Sequence, residues 1–298
     1  MSKFLILLIL MCFSSSSYAQ VAYPFAQYHF IIPADVISPD GGINARVTSS
    51  YEEENKSTQF KITFYRSGPN DHQISPISHI DFPKYTPSAC AGLRKNLNDI
   101  AFSSDNKYIV TVTGWISIYD YDQQLVCDDH AEYKPGAIEV WNIQTGKLKT
   151  TLSYPGEEKY TADYHTVVCS PDGKYIAAMG DYAVRIWDAK TFKYIRKLPW
   201  SSYGRKLVFS PDSKLLLGGR RGVNWLIWDV ATGKLLRKLD DTSGIGKNET
   251  ASDMRFSDDG KVIVGIIYEY WENMNGPLGI WSTKTGKLLH KIHQQPSH

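Results

Sequence analysis

His165-Thr-Val-Val-Cys-Ser-Pro-Asp-Gly-Lys-Tyr-Ile-Ala-Ala-Met179 is followed by Val184-Arg-Ile-Trp-Asp188 and Tyr194-Ile-Arg-Lys-Leu198. Some forty residues on, the chain repeats itself: Leu207-Val-Phe-Ser-Pro-Asp-Ser-Lys-Leu-Leu-Leu217, Leu226-Ile-Trp-Asp-Val230, Leu235-Leu-Arg-Lys-Leu239. Each half is four short apolar runs parted by turn residues. A period of about 40 residues with four strands per unit predicts an all-β array of sheets stacked side by side.

Working outward, five units align on the turn between their first two strands. They carry Ser38-Pro-Asp-Gly41, Ser104-Asp-Asn-Lys107, Ser170-Pro-Asp-Gly173, Ser210-Pro-Asp-Ser213 and Ser257-Asp-Asp-Gly260. Proline presets φ, aspartate bonds back to the backbone, and glycine accepts positive φ. Four units place a tryptophan on the third strand: Trp141, Trp187, Trp228 and Trp281; Tyr65 stands near that place in the first. A Thr-Gly-Lys hairpin follows at Thr145–Lys147, Thr232–Lys234 and Thr285–Lys287, where glycine suits a bulged loop. Phe192 takes the glycine's place in the third unit, at an expected cost of about 1 kcal/mol.

The dipeptides Trp187-Asp188 and Trp228-Asp229, set in this period over about residues 35–293, resemble the WD40-repeat β-propeller family. The resemblance implies a single propeller of four-stranded antiparallel blades acting as a protein-interaction scaffold. Asn142 and Ser282 replace the aspartate in the second and fifth units, and the family's Gly-His dipeptide before the first strand is absent. Hydrophobic packing is then the expected main glue between blades. Five blades are countable. Gln27–Ile32 reads as a further strand that could close the ring, and residues 82–98 as an inserted loop or a degraded blade part, with six blades as the alternative count.

The 298 residues carry 33 Lys+Arg against 31 Asp+Glu, a formal net charge of +2. That balance gives no reason to expect nucleic acid or an anionic membrane as partner. Residues 1–19 read as a cleaved signal peptide, with Lys3 as the basic start, Phe4–Phe13 as the apolar stretch and Ser17-Tyr18-Ala19 before the cut. Ten apolar residues in a helix span about 15 Å, half the hydrocarbon core, so no stable membrane anchor is expected. The propeller domain is 20–298, exported to a periplasm or the medium. Of the three cysteines left, Cys169 aligns with Phe209 and Phe256 and reads as a buried apolar substitute. Cys90 and Cys127 are the pair an oxidising compartment could join, with three free thiols as the alternative.

Two units are long between their second and third strands, and their aromatics form the candidate binding surface: Trp115, Tyr119, Tyr121, Tyr268, Tyr270 and Trp271. Projecting aromatics give contact area at low entropic cost, although they also pack hairpins together. Arg205, Arg220 and Arg221 fall in connecting segments within reach of an acidic partner. Other basic residues of these units, such as Arg185, Arg196 and Arg237, read as outer-strand charges that discourage edge pairing. The run Asp120, Asp122, Asp128, Asp129, His130, Glu132 lacks calcium-loop spacing and reads as a solvated loop, so no metal or cofactor is expected. No Gly-x-Ser-x-Gly, His-Glu-x-x-His or phosphate-cradling loop occurs. The expectation is a non-catalytic binding module. The alternative is a hydrolase or lactonase-like enzyme with carboxylates from several blades converging at the central channel.

Overall fold

The computed structural model describes residues 35–52, 57–67, 76–83, 93–117, 136–155, 164–180, 183–199, 206–219, 225–239, 249–269 and 277–293. These form five four-stranded antiparallel sheets, each built from consecutive strands. Sheet 1 is β1 (Asp35–Ile37), β2 (Ile43–Glu52), β3 (Ser57–Arg66) and β4 (Pro76–Asp81); sheet 2 is β5 (Leu93–Phe102), β6 (Tyr108–Ser117), β7 (Ile138–Asn142) and β8 (Leu148–Thr151). Sheet 3 is β9 (Tyr164–Cys169), β10 (Tyr175–Gly180), β11 (Val184–Asp188) and β12 (Tyr194–Leu198). Sheet 4 is β13 (Lys206–Phe209), β14 (Leu215–Gly219), β15 (Leu226–Asp229) and β16 (Leu235–Lys238). Sheet 5 is β17 (Glu249–Phe256), β18 (Val262–Glu269), β19 (Leu278–Ser282) and β20 (Leu288–Ile292). The fold is a five-blade β-propeller.

The turn joining the first two strands is one structure made five times. A serine hydroxyl donates to the aspartate two residues on, at 2.7 Å in Ser38–Asp40, Ser103–Asp105, Ser170–Asp172 and Ser210–Asp212 and 2.8 Å in Ser257–Asp259. The same oxygen accepts the backbone N–H five residues on, as from Tyr175 at 2.9 Å. In sheet 2 the turn starts at Ser103, one residue before the alignment above placed it, because Asn106 and not Lys107 takes the left-handed backbone. Ser213 has φ 61° in its turn and repays that strain across the molecule: its hydroxyl accepts the Asp172 N–H at 3.0 Å.

The tryptophan–aspartate pair divides two tasks. Asp188 caps the outer hairpin, accepting from Thr191 N at 2.6 Å and Thr191 Oγ1 at 2.8 Å; Asp229 does the same with Thr232. Asn142 substitutes fully, bonding Thr145 N and Oγ1 at 2.9 and 3.0 Å, and Ser282 in part, through Thr285 N at 3.2 Å. Trp187, Trp228 and Trp281 are fully buried, each packing back against the preceding sheet. The indoles of Trp187 and Trp228 also donate to carbonyls just beyond that sheet's last strand, Ser153 O at 2.8 Å and Pro199 O at 3.2 Å.

Four hydrophobic clusters result, between sheets 1 and 2, 2 and 3, 3 and 4, and 4 and 5. Cys169 is packed against the second of these, and burial pushes its thiol up to about 12, which leaves it an apolar filler. Phe192 does adopt the glycine-like conformation, φ 59°, and its ring meets Tyr108 edge-on with centroids 5.7 Å apart. The hairpin glycines are needed for close approach as well as for φ: a Cβ on Gly286 would lie 2.7 Å from Lys238 O of the neighbouring sheet.

One expectation changes. Residues 93–98 are no inserted loop: they open β5, the first strand of sheet 2, with Arg94 and Lys95 paired to Ile116 and Trp115. Apolar packing is not alone between the sheets, as the first strands show. Gln27–Ile32 lies outside the described residues.

Candidate functional site

The first strands of sheets 2 to 5 lie against one another, β5 on β9, β9 on β13 and β13 on β17, so the residues these strands share line the hub. Four residues before the turn serine stand Asp99 on β5, Thr166 on β9, Lys206 on β13 and Asp253 on β17. They are chemically unlike and fit one another in pairs. Thr166 Oγ1 donates to Asp99 Oδ2 at 2.7 Å, and Lys206 Nζ donates to Asp253 Oδ1 at 2.9 Å. Asp99 also accepts from Val167 N at 3.0 Å and from Ile100 N at 2.9 Å. Its neighbour Asn98 gives Nδ2 to Tyr164 O at 2.6 Å. Sheets 2 and 3 are thus stitched at the hub by Asn98 and Asp99, and sheets 4 and 5 by an ion pair.

Backbone irregularity accompanies this. The β5–β6 register shifts between Leu97 and Asp99, and the β17–β18 register between Ser252 and Arg255. Asp253 sits in that second bulge with φ 51°, a strained conformation held for the sake of its side chain. Burial raises the Asp99 carboxyl to about 6, against the pull of its three donors and of the Lys206 charge. Asp99 can therefore hold or release a proton close to neutral pH.

A second polar cluster lies farther out between sheets 2 and 3. Arg185 on β11 is only 3 % exposed, not a solvated edge charge. Its guanidinium stacks 3.9 Å from the centroid of Tyr154, with Tyr164 and Tyr194 close enough to feel its charge. Arg196 and Arg237 also do more than guard an edge. Arg237 donates to the carbonyls of Thr283 and Lys284 in the next sheet's hairpin, and Arg196 lies against Gly233 and helps hold Asp229 ionised.

Of the residues singled out as a binding surface, Trp115 is on β6 opposite Lys95 and Tyr268 on β18 opposite Thr250. Tyr119, Tyr121, Tyr270, Trp271, Arg205, Arg220 and Arg221 lie outside the described residues, as do Cys90, Cys127 and the acidic run from Asp120 to Glu132. Among the described residues, no group of three His, Cys, Asp or Glu side chains could hold a metal ion, and no helix is long and apolar enough to cross a membrane. Sequence reading missed the hub set. Its signal was one position reading Asp, Thr, Lys, Asp where a repeat should agree with itself.

Residues 150–188 match the family model described as WD domain, G-beta repeat. The chain is 27% identical over 168 residues to apoptotic protease-activating factor 1 of Homo sapiens, covering 54% of this chain and 13% of that protein. It is 33% identical over 167 residues to a subunit of eukaryotic translation initiation factor 3 of Aedes aegypti, covering 54% and 21%. To small ribosomal subunit protein RACK1 of Caenorhabditis elegans it is 28% identical over 132 residues, covering 42% and 39%. The chain thus spans 13% to 39% of the length of these relatives. The matched repeat, the similarity to these relatives and five four-stranded sheets that each carry a tryptophan or its tyrosine substitute on the third strand support a chain of the WD40-repeat β-propeller kind.

Proposed function

We propose that the chain is an exported, non-catalytic propeller that binds another protein and holds it in an assembly. The observation that carries this reading is the nature of the relatives that match the repeat array. Two of them are named as parts of larger assemblies, a ribosomal subunit and a multi-subunit initiation factor. The hub is in keeping with it: Asp99, Thr166, Lys206 and Asp253 each bond a neighbouring sheet. A hydrolase would need such groups turned toward a substrate.

The partner's docking surface is the rim of the two long hairpins, with Tyr119, Tyr121, Tyr268 and Tyr270 as anchors. Crosslinking in the native compartment followed by mass spectrometry tests the reading directly. It should recover one recurrent protein with the wild-type chain and lose it when those four tyrosines become alanine, with thermal unfolding unchanged. Capture that survives the quadruple substitution removes the rim from the proposal. Export is tested on its own: N-terminal sequencing of the mature protein should begin at Gln20, and a retained Met1 overturns it.

A further inference from the structure

We propose that the Arg185 cage between sheets 2 and 3 binds a carboxylate group, belonging either to a small organic acid or to an acidic residue of a bound peptide. Arg185 stands two residues before the tryptophan, where the sister sheets carry Glu139, Leu226 and Gly279. It shares the tryptophan-bearing face with Ile176, Ala178 and Val167, and that face is pressed against Val110, Val112, Ile138 and Leu152 of sheet 2. A guanidinium in such surroundings loses its water, and burying a charge is costly unless it is paired. Among the described residues no carboxylate lies within ion-pair distance of it, and the Tyr154 ring at 3.9 Å compensates it on one side only.

A second group points to the same place. Tyr164, 3 % exposed, carries a buried hydroxyl without a well-formed hydrogen bond among the described residues, close enough to Arg185 and Tyr154 to interact with both. Burial holds its phenol well above the usual tyrosine range, so it stays a proton donor at any physiological pH. The chemistry assembled is a planar fork of N–H donors, a hydroxyl donor and aromatic walls. The fork matches the two oxygens of a carboxylate, and the hydroxyl can give a third bond. Tyr154 and Tyr194 are half-exposed, which places the entrance on their side. This inference stands apart from the protein-binding reading, since its first probe is acetate alone.

The test compares thermal unfolding of the full chain in sodium acetate and in sodium chloride at equal ionic strength. Acetate should raise the wild-type midpoint by about 2–4 °C in a saturable way, as a ligand of the folded state does. Arg185→Met should lose that rise while unfolding no earlier than wild type in chloride, because an apolar side chain suits the interface. Tyr164→Phe should keep the fold and weaken the acetate response about tenfold, one hydrogen bond's worth. Should Arg185→Met not fold, Arg185→Lys serves, and its acetate response should fall likewise because an ammonium lacks the fork. A blocked tetraglutamate peptide separates the sources: tighter binding than acetate assigns the site to a peptide side chain, equal or weaker binding to a small acid. No rise with either probe beyond that in chloride, or an equal rise in Arg185→Met, overturns the proposal.

Discussion

Sheets 1 and 3 have the same four strands, the same serine–aspartate turn and the same break in register before the tryptophan position, yet their corresponding faces are opposites. In sheet 3 that face holds Trp187, Ile176, Ala178 and Val167 and disappears against sheet 2. In sheet 1 it holds Tyr65, Thr63, Arg46, Thr48 and Lys61, with His79 and Asp81 beside them on β4. Lys61 and His79 pair with Asp81 at 3.5 and 3.2 Å, Arg46 pairs with Asp35 at 2.9 Å, and all of these side chains are more than a third exposed. Arg46 lies over the Tyr65 ring at 5.5 Å, on a face that no other sheet covers among the described residues. The comparison teaches that the repeat's backbone survives without its tryptophan. What the tryptophan supplies is the seat for the sheet before it.

The sharpest way to break this contrast is to truncate both positions. Trp187→Ala should destabilise the chain by about 3–5 kcal/mol in chemical denaturation, through lost burial and an unfilled cavity. Tyr65→Ala, on the exposed face, should cost about 1 kcal/mol or less. Equal costs would mean that the first face is packed after all. Next in size is the hairpin cap of sheet 3, whose aspartate position is Arg66 in sheet 1. Asp188→Ala removes the acceptor of two Thr191 bonds and should cost about 1–2 kcal/mol, whereas Arg66→Ala at the corresponding place should be silent.

An effect of similar size concerns the bond that reaches sheet 3 from sheet 2. The Asp99 carboxyl sits at about 6 in the folded chain against 3.8 ordinarily, so the fold binds the proton more tightly than the unfolded chain does. Its contribution to stability is present while Asp99 is protonated and is lost as pH rises from about 4 through 6. Between pH 4.5 and 7 the wild type should lose about 2 kcal/mol relative to Asp99→Asn, which has nothing to titrate there. A difference that does not change over this window would show that the Asp99 carboxyl is not raised. The smallest effect is expected at Phe192→Gly. Relief of the left-handed backbone, about 1 kcal/mol, is set against loss of the Tyr108 edge contact, about 0.5–1.5 kcal/mol, and the net should lie within about 0.5 kcal/mol of zero.

The fold was legible because its determinants are local and recur. Pro, Asp and Gly in the turns and Trp with Asp before the hairpin each act within a few residues, so spacing alone reveals them. The hub was hidden for the opposite reason. Asp99 and Thr166 are 67 residues apart and Lys206 and Asp253 are 47 apart, and each pair is complementary instead of alike. A search for similarity between repeats passes over such positions. Arg185 was misjudged on the same account: a charge inside Val184-Arg-Ile-Trp187 is ambiguous until the opposing sheet is in view. The segment 93–98 stayed undecided between loop and blade part because Arg94, Lys95, Asn96 and Asn98 are poor strand formers, which pairing with β6 on either side of Asn98 nevertheless holds extended.

The polar face of sheet 1 has a consequence for how such an array can lengthen. A duplicated copy of sheet 3 inserted between sheets 3 and 4 would meet apolar faces on both sides, and the one on sheet 4 already fits it. The same copy placed ahead of sheet 1 would bring its aliphatic side down on Arg46, Lys61, His79 and Asp81, stripping water from four charged or ionisable groups at once. Growth by tandem duplication is therefore permitted within the array and resisted at its first sheet, a direction imposed by half a dozen side chains.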